Sequence, residues 1–179
     1  MYALARGSGA ARACDGLRSR TYAASPDDAE RKADGLLEVW SDAPPDVPSA
    51  HGYRVREVLH WDDGGVSPGL VAFYFVRRRP DLSSEAFEER YREGHAPLAR
   101  VQHPGLRRYA QNFVEESTAG APHWDAIAQL HFAGEREFRE RFYRDAESPA
   151  IVAADVARFA DLSTGFALVT RDDAGPEGT

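Results

Sequence analysis

Cysteine occurs once in this chain, at Cys14, and lysine once, at Lys32. The single cysteine excludes an intramolecular disulfide and a cysteine-built metal cluster. The lone lysine leaves the second half without an amine side chain, which excludes a Schiff-base mechanism there. No apolar run approaches the ~20 residues that a bilayer-spanning helix needs. Residues 1–13 carry arginines but no sustained apolar stretch, unlike a secretory signal. A basic face is missing too: the formal net charge is -7, which makes nucleic acid a poor partner. Glycine-rich phosphate loops, a nucleophile elbow and a zinc-binding HExxH are absent. These exclusions leave a soluble cytoplasmic protein that meets neither membrane nor nucleic acid as the simplest reading.

What is present is ordinary globular material, 42% hydrophobic and 28% charged over 179 residues. That length holds one good core or two small ones. The cluster Asp62-Asp63-Gly64-Gly65-Val66-Ser67-Pro68-Gly69 reads as a linker between two patterned regions. The expected division is a degenerate half-module over 1–66, a complete module over 67–172 and a flexible tail over 173–179.

The second region alternates strand and helix signals. Leu70 to Arg77 is dense in aliphatic and aromatic residues, as a buried strand requires. Ser83 or Ser84 can cap a helix that has Glu85 in its first turn and Phe87 and Tyr91 on one face. Gly94 loosens this helix and Pro97 restarts it. Strands follow at Leu106 to Val114 and Asp125 to Phe132. Helices are expected over Glu135 to Ala146 and again from Ser148-Pro149, with Val152, Val156 and Phe159 as the buried stripe of the latter. Thr164 to Arg171 is the last strand. The order β-α-β-β-α-β predicts an α+β, ferredoxin-like module.

The first region echoes part of the second. Asp15-Gly16-Leu17-Arg18 parallels Pro104-Gly105-Leu106-Arg107, residues 34–40 parallel the third strand, and Tyr53 to Trp61 parallels the last. No counterpart of the first strand and helix is visible, and Pro44-Pro45-Asp46-Val47-Pro48 sits where a second helix belongs.

Three stretches of the second region carry a resemblance. They are Arg78-Arg79-Pro80-Asp81-Leu82-Ser83 through Phe87 and Tyr91 to Gly94-His95-Ala96-Pro97-Leu98; Pro104-Gly105-Leu106-Arg107-Arg108-Tyr109-Ala110-Gln111-Asn112; and Asp125-Ala126-Ile127-Ala128 through Phe132 and Ser148-Pro149 to Ala157-Arg158-Phe159-Ala160-Asp161. In order and spacing this region resembles the EthD family of the dimeric α/β-barrel superfamily. Phe113, Gln129 and His131 depart from the family's pattern. The resemblance implies two sheets paired around a cavity. It further implies a small cofactor-free enzyme of the cyclase, dehydratase, decarboxylase or monooxygenase kind, or a relative without activity.

Candidate chemistry follows from residue type and strand alternation. Asp125, Ile127, Gln129 and His131 share the face expected to meet the cavity, and Tyr109 and Gln111 are placed there as well. His95, exposed by the helix break, is the acid/base candidate. Tyr109 could stabilise an oxyanion and Asp125 could orient His95. Phe73, Phe75, Tyr91, Gln111, Phe113, Trp124, Gln129 and His131 are expected to line the substrate pocket, with His123 and Trp124 in a loop over it. His95, His131 and Asp125 are acceptable metal ligands, but their spacing gives no signature and no metal is expected. His51, His60 and His103 are read as surface residues. The expected function is cofactor-independent cyclisation, dehydration or isomerisation of an aromatic or polyketide-like substrate by a homodimer. A cofactor-free monooxygenase and a non-catalytic binding or assembly protein are the alternatives.

Overall fold

The computed structural model describes residues 2–4, 18–24, 35–40, 51–65 and 69–172. The Pro44–Pro48 stretch and the tail 173–179 lie outside the described residues. Eight strands close a barrel: β1 (Tyr2–Leu4), β2 (Arg18–Ala24), β3 (Gly35–Trp40), β4 (His51–Asp62), β5 (Gly69–Val76), β6 (Leu106–Ser117), β7 (Ala126–Phe132) and β8 (Phe166–Asp172). Between β5 and β6 runs a helix in three parts: α1 (Ser84–Glu89), a π-helical turn (Arg90–His95) and α2 (Ala96–Gln102). Helices α3 (Glu135–Glu140) and α4 (Ser148–Val156) separate β7 from β8.

The second region is the expected βαββαβ module, with β5 flanked by β7 and β8 and with β6 beyond β7. The first region repeats this arrangement. There β1 is flanked by β3 and β4, with β2 beyond β3. The two four-stranded sheets join through β2 with β8 and β4 with β6, all antiparallel. Each half therefore lends its second strand to the fourth strand of the other, and the ring closes within one chain. The first strand thought missing is Tyr2–Leu4. It is three residues long, below the length at which alternation leaves a pattern.

Alternation along each strand sorts side chains between the barrel interior and the helices. Val71, Phe73, Phe75, Ile127 and Leu168 pack with Leu36 and Tyr53 inside the barrel. Ala72, Tyr109, Phe113, Ala128, Leu130 and Phe132 face outward against Phe87, Tyr91 and Phe159 of the helical layer.

Helix ends follow local chemistry. The Ser83 side chain accepts from the Ala86 amide at 3.2 Å, the N-cap expected from sequence. Helix α3 stops at Glu140 rather than reaching Ala146. Its continuation is diverted to other partners: the Arg141 carbonyl accepts from Gly105 N at 2.9 Å, and Arg144 N donates to the Gln102 carbonyl at 2.9 Å. Gly105 is required by this approach, since a Cβ there would stand 2.9 Å from the carbonyl oxygens of Glu137 and Arg141. Val156 and Phe159 pack on the outer sheet face as their stripe predicts.

Candidate functional site

A cavity of about 150 Å³ lies between the outer face of β5, β6 and β7 and the helical layer. Its sheet-side wall is Tyr74, Tyr109, Ala128 and Leu130, and its helix-side wall includes Tyr91, His95, Val152 and Phe159. The π-helical turn that ends at His95 interrupts the helix here, a feature often found at functional sites. Tyr91 and His95, four residues apart, are both buried on its inner side.

His95 is 7% exposed. Its Nδ1 lies 2.9 Å from Oδ2 of Asp155 on α4. Burial holds the imidazole below its ordinary pKa, and the Asp155 carboxylate opposes that shift without cancelling it. A neutral ring beside a carboxylate keeps its proton on Nδ1 and presents Nε2 as a lone-pair base.

Tyr109, 1% exposed, stands on the opposite wall. Its hydroxyl oxygen accepts from Gln111 Nε2 at 3.0 Å, and its phenol is also hydrogen bonded to that of Tyr91. Gln111 Nε2 further donates to the Tyr91 carbonyl at 2.9 Å, which ties the sheet to the π-helical turn. Burial pushes Tyr109 up to about 12, so it is a proton donor at neutral pH. The Tyr109 ring is backed from outside by the first half: His60 stacks on it at 5.3 Å between centroids and Trp61 packs at 5.1 Å.

The expected site residues fall on two sides of the sheet. His95, Tyr91, Tyr109, Gln111 and Phe113 lie on the helix side, because β6 alternates in the sense opposite to that expected. A register shift between Leu106 and Arg108 in β6 goes with this reversal. Phe73 and Phe75 point into the barrel, where Trp124 packs against Phe75 at one end. Gln129 and His131 also lie inside it, around Arg108, whose Nη1 donates to Gln129 Oε1 and His131 Nε2 at 3.1 Å each. Asp125 does not orient His95. Its Oδ2 accepts from Arg78 N at 2.9 Å, and its carboxylate also lies 3.5 Å from Arg78 Nε and 3.4 Å from His123 Nε2. Among the described residues no group of His, Cys, Asp and Glu side chains forms a metal-binding trio.

The sequence reading missed Asp155, although its position carried a signal. It lies three residues after Val152 and four before Phe159, an acid set in a buried stripe. His103 was also misplaced at the surface: it is 4% exposed, lines the cavity and donates from Nδ1 to the Phe142 carbonyl at 2.6 Å. Burial lowers its pKa as well. His60 is half-buried against Tyr109 rather than free in solvent.

Residues 79–163 match the family model of the EthD domain. No curated protein matches the chain by sequence. Among solved structures the chain is similar to one described as a major regulator of staphylococcal pathogenesis, at 10% identity and a TM-score of 0.61, over 97% of this chain and 100% of that one. It is similar to an anthrone oxidase-like protein at 10% identity and a TM-score of 0.59, over 95% of this chain and 88% of that one. An EthD family protein from Bacillus halodurans aligns at 23% identity and a TM-score of 0.45, over 56% of this chain and 95% of that one. The first two likenesses extend the shared fold to nearly the whole chain.

Proposed function

We propose, with residues 79–163 matching the family model of the EthD domain, that the chain is a cofactor-independent acid/base enzyme acting on a small aromatic or polyketide-like ketone. The reaction class is enolisation followed by isomerisation, cyclisation or dehydration. The observation that carries this reading is the pairing of His95, backed by Asp155, with Tyr109 across one apolar cavity. His95 Nε2 removes a proton from carbon next to the substrate carbonyl. Tyr109 has its oxygen engaged by Gln111 and Tyr91, so its own proton is what it offers the enolate oxygen. His95, now charged and held by Asp155, then returns the proton at another position or to a departing hydroxyl. The apolar walls exclude water that would protonate the enolate prematurely.

In this reading residues 67–172 carry the chemistry and residues 1–66 complete the barrel and back Tyr109. The reading places this chemistry in the cytoplasm. No helix among the described residues is long and apolar enough to cross a membrane. The reading also includes a homodimer, whose parts would be two barrels, each already closed within its own chain. A monomer mass at micromolar concentration removes that element alone.

The test is proton exchange. The protein is incubated in D₂O with a panel of aryl methyl ketones and hydroxylated naphthalenones, and deuterium entry next to the carbonyl is followed by NMR. Exchange that falls by about 10²-fold or more in both His95→Gln and Tyr109→Phe supports the reading. Exchange unaffected by either variant overturns it, and oxygen uptake coupled to turnover redirects it to cofactor-free oxygenation.

A further inference from the structure

A second cavity of about 270 Å³ opens beside the first, between β5, the start of β8 and the turn that joins α4 to β8. The two share three wall residues, Tyr74, Val76 and Val156. The outer cavity is lined by Ala160, Leu162, Phe166 and Ala167, and Leu162 at its rim is 60% exposed. Its acid, Asp161, is turned to its own loop, accepting from Ser163 N at 3.0 Å and Ser163 Oγ at 2.6 Å. The outer cavity therefore offers a ligand almost nothing but apolar surface.

The inner cavity is apolar over most of its lining too, and differs in the titratable side chains that interrupt it. It is walled by aromatic rings, and it holds the polar groups of His95, His103 and Tyr109. A cavity near 150 Å³ takes about one benzene-sized ring. A ligand larger than one ring extends beyond this volume, and past Val156 the walls continue into the outer cavity.

From this pairing we infer that the two cavities are one divided site, taking a ligand made of a single oxygenated aromatic ring and a linear apolar tail. The ring lies between His95 and Tyr109. The tail passes the constriction at Tyr74, Val76 and Val156 and ends near Leu162. The inference rests on the proposed acid/base site for the orientation of the ring, and adds to it the length and polarity of the substrate.

The experiment is calorimetric titration of the full chain with 4-alkylphenols, from 4-methylphenol to 4-hexylphenol. Affinity is expected to rise about fourfold per methylene while the tail fills the outer cavity. Ala167→Phe, at an exposed position in the wall of the outer cavity alone, should flatten that rise and leave 4-methylphenol affinity unchanged, which also reports an intact inner cavity. Leu162→Asp, at an exposed rim and safe for folding, should weaken only the longest phenols. A flat series in the native chain overturns the divided site and leaves the acid/base reading standing. A rise unchanged in both variants overturns it as well, since the tail then lies elsewhere. No binding by any phenol overturns both readings.

Discussion

Oδ2 of Asp155 lies 2.9 Å from Nδ1 of His95, joining α4 to the π-helical turn across a buried boundary. The contact fixes the proton on Nδ1 and leaves Nε2 as the base. Asp155→Asn removes the charge and lets the ring adopt the other tautomer. Deuterium exchange into a ketone substrate should fall about 10²- to 10⁴-fold in His95→Gln. The loss in Asp155→Asn should be in rate rather than in ligand affinity. A wild-type exchange rate in Asp155→Asn contradicts the assigned role.

Tyr109→Phe removes the hydroxyl that Gln111 and Tyr91 hold. If it donates to a forming enolate, exchange should drop about 10²-fold with little change in binding of a neutral ketone. Binding of a phenolate or enolate mimic should weaken more than that of the ketone. The variant also deprives Gln111 of an acceptor where its Oε1 is already buried with no partner among the described residues. A stability loss of about 1–3 kcal/mol should accompany the rate loss. Gln111→Leu separates the two effects, since it costs stability while leaving the phenol in place.

Much of this site was legible from sequence, and the gaps have physical causes. His95, Tyr91 and Tyr109 were identifiable because a helix break and a dense motif mark them. Their assignment to one cavity with Gln129 and His131 failed because a single register shift moves every side chain of a strand to the other face. Asp155 was passed over because an acid near a helix end usually faces solvent. The four strands of the second half and three of the first were readable, whereas Tyr2–Leu4 was too short to leave a pattern. How the two halves exchange strands was not readable, since that pairing depends on contacts far apart in sequence.

His95 and His103 both have pKa values lowered from 6.5, chiefly by burial. In the unfolded chain each titrates near 6.5, so between that value and the lower folded pKa the unfolded state binds more protons. Stability then rises with pH across this window and falls as the pH drops through 6.5. Thermal melts from pH 8 to pH 5 should show this decline. The His95→Gln, His103→Gln double variant should give a flatter profile over the same range. An unchanged slope in that variant would mean that other groups set the acid response.

Inside the barrel, Gln129 links the halves. Its Nε2 donates at 2.6 Å to Oε1 of Glu38, on β3 of the first half, while its Oε1 accepts from Arg108. Arg108 in turn reaches Glu57 and Asp62 of β4 at 3.5 and 3.4 Å. Gln129 and Glu38 are 0% and 4% exposed, so water cannot readily replace a lost donor. Gln129→Leu keeps much of the volume but removes a hydrogen bond to a buried carboxylate, at an expected cost of about 1–3 kcal/mol. Gln129→Glu replaces the donor with a second carboxyl group facing the first, and should cost more than Gln129→Leu. Urea unfolding followed by far-ultraviolet circular dichroism should give one transition for the native chain, because two strand pairings, β2 with β8 and β4 with β6, join the halves into a single ring. If Gln129→Leu lowers the midpoint of that one transition, the barrel interior couples the halves. If instead it splits the transition in two, the outer strand pairings carry less of the coupling than the buried Glu38–Gln129–Arg108 chain does. An unchanged midpoint would show that this chain of contacts contributes nothing to holding the ring closed.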